Sequence, residues 1–423
     1  MGNKKIYFCC FYLSITVFGG AQTTYTLEQC KEFTRNNNNE IVNSRLQIKE
    51  AEQTKKEAFT KYFPSVSATG SAMNASTGTM KMDMMGNTLS LMKNGVLGGV
   101  TATQPVFAGG NILNGNKLAK VGLEASKYQA KLSEEESLLL TEQYYWQIVS
   151  LREKIKTIGY LETMLQSIRK DVDASYQAGI ITLNDVLKVK LKQNELASKR
   201  LQVENGLDMS VKALCQHIGL DSDGFAIQID SIGIEVPEKI HVNHAAVLSE
   251  RTESKLLDKN VEASVLQLRI KKGEYMPRVA VGAGYMYHNL TDVNTDFGVV
   301  FATVSIPISD RWGGSHAIRK QKINKQIAIN NQQNLSEQLL LQMQKTWNDL
   351  EESYKQVLLA KESVSEATEN LRLNQDYFKA GTVSLTDLLD AESLLQQSYD
   401  QYTESNSDYQ IKRSKYLQVT GRY

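Results

Sequence analysis

Two aspartates three residues apart, Asp387 and Asp390 in GTVSLTDLLDAESLL, put two carboxylates on one face of any helix that holds them. Such a pair can bind a cation, or repel further copies of itself around a constriction. A related stretch earlier in the chain, GIITLNDVLKVKL, carries Asp185 at the matching place and Lys188 where the later one has Asp390. In each, a glycine (Gly179, Gly381) precedes Thr182 or Ser384 and then the aspartate. This reads as a helix stop in the left-handed cap conformation, followed by a capping box that starts the next helix. The cap accounts for Asp185 and Asp387. It leaves Asp390, one turn further on, without a structural task.

Other chemistry-bearing residues are sparser. Met80, Met82, Met84, Met85 and Met92 crowd one stretch, and soft thioethers favour Cu(I) or Ag(I), although methionines also fill loops as flexible apolar packing, the reading preferred here. His241 and His244 stand at i and i+3 without a third ligand, as surface histidines at a helix start do, so no metal site is assigned. No nucleophile with a base and no phosphate loop stands out, and Gly282 and Gly284 lie within a strand pattern, the wrong place for a dinucleotide turn. The chain is therefore not read as an enzyme, and no cofactor is expected.

The elements that must position the paired turns begin after a leader. Lys4 and Lys5, an apolar run and small residues ending at Ala21 have the form of a secretory signal peptide over residues 1–21. No later run approaches the roughly 20 apolar residues of a membrane-crossing helix. Cys9 and Cys10 belong to the leader. Cys30 and Cys215 are far apart and have no disulfide or zinc spacing, and Cys30 follows Glu28 and Gln29 instead of the small apolar residues of a lipidation site. A net charge of +1 gives no field that would draw nucleic acid, and five prolines in 423 residues favour long helices.

Placing Gly179 on Gly381 also places Leu183 on Leu385, Leu187 on Leu389 and Gly219 on Gly421, so the mature chain is two tandem copies of one unit. Residues 22–219 are the first copy, 220–242 a linker expected to form a belt, and 243–423 the second copy. Each copy reads as a helix of about 35 residues, a strand, a loop, a second strand, a Gly-Gly break, a helix of over 60 residues, the turn, and a helix of about 37 residues. Val66, Ala68, Gly70 and Ala72 alternate with Ser65, Ser67, Thr69 and Ser71, the period of a strand with one polar face. The strand segments run about 9 to 11 residues, enough to cross a bilayer when tilted. Leu118, Val121, Ala125, Tyr128 and Leu132, then Leu151, Ile155, Ile158, Leu161, Leu165, Ile168 and Val172, form a coiled-coil seam along the long helix.

Four amphipathic strands cannot close a membrane barrel alone, since single-chain barrels start at about eight. Copies of the chain must supply the rest, eight strands in a dimer or twelve in a trimer. Tyr62, Phe63, Phe107, Tyr275 and Trp312 stand at the strand ends, where an aromatic girdle belongs. An exported chain with two repeats of helix, strand pair, long helix and a G-x-x-[ST]-L-x-D-[VL]-L turn resembles the TolC-type outer-membrane efflux proteins over residues 24–422.

The resemblance implies a mainly α protein with transmembrane β-strands. It selects a homotrimer whose twelve-stranded barrel in the outer membrane continues into a twelve-helix tunnel in the periplasm. It implies a passive exit duct for small molecules, worked by an inner-membrane transporter and a periplasmic adaptor. It places Asp185, Lys188, Asp387 and Asp390 at the periplasmic gate, and Gly179, Leu183, Gly381 and Leu385 in the tips where the adaptor docks. Lys188 departs from a purely acidic ring. Polypeptide export by a type I system and heavy-metal efflux are alternatives within transport, and a pore-free structural coiled-coil protein of the periplasm is the alternative outside it.

Overall fold

The computed structural model describes residues 23–74, 80–84, 87–91, 94–228, 233–290, 294–308 and 311–423. In chain order the elements are β1 (Thr23–Tyr25), α1 (Leu27–Asn37), α2 (Asn39–Thr60), β2 (Ser65–Asn74), β3 (Met80–Met84), β4 (Asn87–Leu91), β5 (Asn94–Ala108), α3 (Asn111–Gln177), α4 (Leu183–Ile218), β6 (Phe225–Ile227), α5 (His244–Val247), α6 (Thr252–Gly273), β7 (Arg278–His288), β8 (Thr295–Ser305), α7 (Arg311–Lys379) and α8 (Leu385–Val419). The chain is mostly helical and its element order repeats: a strand pair, a helix of 67 or 69 residues, a turn, a helix of 36 or 35. At 1.5 Å per residue each long helix measures on the order of 100 Å. Among the described residues no helix is long and apolar enough to cross a membrane.

The leading helix of about 35 residues expected in each copy is broken in both. Asn38 adopts an extended backbone (ψ 128°) between α1 and α2, and its side-chain amide donates to the carbonyl of His217 at 2.9 Å. That distant partner fixes the kink. In the second copy Asn243 caps the four-residue α5, and Arg251 is extended before α6, its buried guanidinium held by Glu253 and Gln342.

The described residues fall into two compact units, and each draws on both sequence copies. The first comprises the described parts of 1–38, 137–239 and 350–414. Its larger core joins Leu161, Leu165 and Val172 of α3 to Val186 and Val189 of α4, Leu371 of α7, and Leu385, Leu388 and Leu395 of α8. Here the expected seam is buried from Ile158 onward. A second core gathers Cys30, Tyr145, Ile148, Leu214, Cys215, Phe225 and Ile227 under a two-stranded parallel sheet of β1 and β6. The linker therefore supplies a strand whose partner lies two hundred positions upstream, Thr23 facing Phe225. Cys30 is fully buried in α1, its thiol pushed up to about 12 by burial, and Cys215 is pushed to about 11 for the same reason.

The second unit (39–136, 240–349, 415–423) holds one antiparallel sheet in the order β2-β5-β7-β8. Its hairpin loop contains the further short pair β3 and β4 where only a loop was expected. The seam residues Leu118, Ala125, Tyr128 and Leu132 are only half-buried here, while Val121 is buried. His241 lies edge-on to Trp347, and His244 shares a hydrogen bond of 3.1 Å with the Tyr416 hydroxyl. These histidines pack against aromatic rings.

Candidate channel tips and membrane boundary

Directly paired residues of antiparallel strands lie on one face, so the register carries the apolar side of the Ser65–Met73 alternation across the sheet. Val66 pairs with Ala102, which pairs with Ala283, which pairs with Val300; Ala68 leads likewise through Val100 and Tyr285 to Gly298. That face is apolar and uncovered, with Val66, Val100, Tyr285 and Val304 exposed and Val300 exposed to 86%. The opposite face starts from Ser65, Ser67 and Thr69, continues through Thr101, Thr103 and Gly282, and turns apolar in β8 at Phe301, Val299 and Phe297. Gly282 is required there, because a Cβ would stand 2.3 Å from the Phe301 ring.

Phe107 reaches the apolar face only through a bulge. Strict alternation from Val100 would place Val106 there, but Pro105 pairs with Ala280 and Phe107 with Val279, leaving Val106 unpaired. Proline has no N–H for the ladder, which is where such irregularities arise. Tyr62, Phe63 and Trp312 are exposed around the strand ends, with Trp312 at 84%, and Tyr275 is half-buried against Gly314. Sequence reasoning missed Phe59, which meets Tyr62 and Phe63 edge-on, and Tyr285 and Tyr287 near the β7-to-β8 loop. The alternating tyrosines of GYMYH were the available signal. The side chains of Met80, Met82 and Met84, residues Met85 and Met92, and the leader lie outside the described residues. Among the described residues no group of three or more His, Cys, Asp or Glu can hold a metal.

The two turns close in the same way. At the first, Gly179 takes φ +76° and the amide of Ile180 reaches back to the Ser175 carbonyl at 2.9 Å; at the second, Gly381 takes φ +73° and Thr382 reaches Tyr377 at 2.9 Å. These are Schellman closures, which need a left-handed residue. Thr182 then donates its hydroxyl to Asp185 at 2.8 Å and receives the Asp185 amide, and Ser384 does the same with Asp387 at 2.7 Å. Hydrogen bonds from the Thr182 and Ser384 side chains hold both carboxyls below the usual carboxylate range.

Beyond the caps the turns diverge. Leu183 is 53% exposed while its counterpart Leu385 is 5%, and Leu187 is 47% exposed while Leu389 is 9%. Lys188 lies 3.7 Å from Asp185 and donates to the Thr386 hydroxyl at 3.0 Å, tying α4 to α8. Asp390 is exposed and makes no ion pair among the described residues. Lys192, one turn beyond Lys188, donates to Ser393 at 2.8 Å and lies 3.5 Å from Glu392. Glu392 is fully buried, and burial pushes its carboxyl above the usual range. Nothing in the sequence marked it, since its lysine stands on the other copy.

The model of the family described as outer membrane efflux protein matches residues 33–220 and 256–422. The chain belongs to the outer membrane efflux protein family. As such it is an exit duct for efflux in the outer membrane. Solved structures share its fold at low identity. The CmeC outer membrane channel of Campylobacter jejuni is 14% identical with a TM-score of 0.82, over 94% of this chain and 85% of that one. The outer membrane protein VceC of Vibrio cholerae is 15% identical with a TM-score of 0.78, over 93% and 96%. CusC, described for transmembrane channel formation, is 13% identical with a TM-score of 0.81, over 93% and 91%. None of the curated proteins matches the sequence. The family and fold are those of channels.

Proposed function

We propose that three copies of the chain join their four-stranded sheets into a closed twelve-stranded barrel, continued by a twelve-helix tunnel in the periplasm. Residues 22–219 and 243–423 act as the two copies of the unit, with 220–242 as the belt between them. The duct passes small molecules delivered by an inner-membrane transporter through a periplasmic adaptor. The observation that carries this reading is the sheet, whose edges β2 and β8 have no further partner among the described strands and whose one face is exposed and apolar. In hydrocarbon an open edge leaves backbone donors and acceptors unpaired, at several kcal/mol each, and only closure removes it. The mass of the species extracted by detergent tests it: a trimer is expected, and a monomer or dimer overturns the barrel.

Asp185, Lys188, Asp387 and Asp390 form the periplasmic gate in this reading. Threefold symmetry brings the Asp387 and Asp390 face to the axis three times, so the carboxylates bind cations that block the duct. Lys188 holds the tip closed by its tie to Thr386. The exposed Leu183 beside Gly179 meets the adaptor; Gly381 contributes through its turn and Leu385 by packing beneath it. Single-channel currents test the gate. Asp387→Asn with Asp390→Asn removes block by divalent cations, and Lys188→Ala raises the resting conductance. Unchanged block and unchanged conductance leave Asp387 as a helix cap.

A further inference from the structure

A groove of about 870 Å³ runs between α2 and α3 where both meet the sheet. Tyr62, three residues before the first residue of β2, and Leu113, five residues after the last residue of β5, both line it. The lining carries Lys55, Lys56, Lys117, Lys120 and Lys127 against a single acid, Glu52. Lys55, Lys56 and Lys117 make no ion pair among the described residues. Beside them Phe59 and Leu113 are more than half exposed, at 54% and 51%. A neighbouring groove of about 800 Å³ differs in kind: it sets Glu50 and Glu57 against Lys61 and Lys259, and its other polar lining is uncharged.

We propose that the basic groove binds an anionic phospholipid from the membrane leaflet next to the helices, with its phosphate among Lys55, Lys56 and Lys117 and an acyl chain along Phe59 and Leu113. Charge complementarity selects the headgroup, since the lining sets five lysines against one carboxylate, and Lys55, Lys56 and Lys117 make no ion pair among the described residues. The exposed apolar residues select an amphiphile over a free anion, which would gain nothing from Phe59 or Leu113. Depth agrees: by helix rise the lysines of α2 stand on the order of 10 Å from the strand start, within reach of the headgroup layer. Lysine stems lie along apolar surface and carry the charge outward, which suits such a boundary.

The site uses the barrel reading only to set this depth, and the assay runs on whichever oligomer detergent extracts, so the two fail separately. Native mass spectrometry of the full chain in uncharged detergent, with dioleoyl phosphatidylglycerol, dioleoyl phosphatidylcholine or glycerol 3-phosphate, measures the preference. Phosphatidylglycerol is expected to bind about tenfold tighter than phosphatidylcholine, and Lys55→Gln, Lys56→Gln and Lys117→Gln together should erase the difference. Equal binding of the two lipids overturns the proposal, as does displacement by glycerol 3-phosphate, which would make this a free-phosphate site, or an undiminished preference in the variant. A photoactivatable phosphatidylglycerol added to the unaltered protein gives a second test that needs no variant. Labelling within α2 and α3 supports the site, and labelling confined elsewhere overturns it.

Discussion

The two turns share a motif, a backbone closure and a capping box, yet the first shows its leucines to solvent and the second buries them. Leu183 and Leu187 lie on the surface of α4, whereas Leu385 and Leu389 pack in the core that α8 shares with α3, α4 and α7. A motif fixes how a chain turns. It does not say which side of the turn other helices will cover.

Truncation separates the two turns most sharply. Leu389→Ala should cost about 2–5 kcal/mol in thermal or denaturant unfolding, because it leaves a cavity in a closed core. Leu187→Ala should change stability by less than about 0.5 kcal/mol, as surface changes do. Comparable losses at both places would mean that α4 is covered in the assembled protein. If the first tip docks the adaptor, Leu183→Ala should lower efflux in cells at unchanged stability.

The glycines should behave alike instead. Nothing stands within 4 Å of a Cβ at either one, so substitution meets only the left-handed backbone. Gly179→Ala and Gly381→Ala should each cost about 1–2 kcal/mol. A bulky Gly381→Trp should abolish efflux while membrane insertion, read by heat-modifiable migration of the extracted protein, stays intact. A difference between the two alanine variants would show that one turn is strained by its neighbours.

The carboxyls of the second tip should respond oppositely to pH. Asp387 is held low, so its share of stability is present above the ordinary aspartate pKa and is lost as pH falls through its folded value. Glu392 is held high, so its contribution is present below the ordinary glutamate pKa and is lost as pH rises through its folded value. Unfolding of Ser384→Ala, expected to lose about 1 kcal/mol at neutral pH, should lose less against the parent protein in acid, where only the bond from the Asp387 amide to the serine hydroxyl still distinguishes them. Glu392→Gln should gain on the parent as pH rises to neutrality. Parallel pH profiles for the two variants would contradict this contrast.

Asp390→Asn should have the smallest effect on stability, within about 0.5 kcal/mol, since the carboxylate is exposed and makes no ion pair among the described residues. Its effect belongs to cation block. A stability loss of the size of the cap's would give it a structural partner in the assembly.

Much of this protein is local in its sequence. The glycine, the Thr or Ser cap and the aspartate lie within seven residues, so their closure follows from short-range sterics and hydrogen bonding. The alternation of Ser65–Met73 and the apolar spacing of Ile158–Val172 likewise follow from the periods of strand and helix. The repeats, the long helices, the strands and the caps are therefore legible in the sequence.

The tertiary structure decided what depends on distant partners. Asn38 breaks a helix because the His217 carbonyl meets its amide, and β1 exists because β6 lies beside it. The Pro105 bulge aims Phe107 outward only in register with β7. Lys192 meets Glu392, and Leu385 is buried while Leu183 is not, because helices from both copies enclose α8 on that side. Sequence period places a side chain on a face, but only long-range packing determines what lies against that face. Burial and pairing therefore differ between two copies that are locally the same.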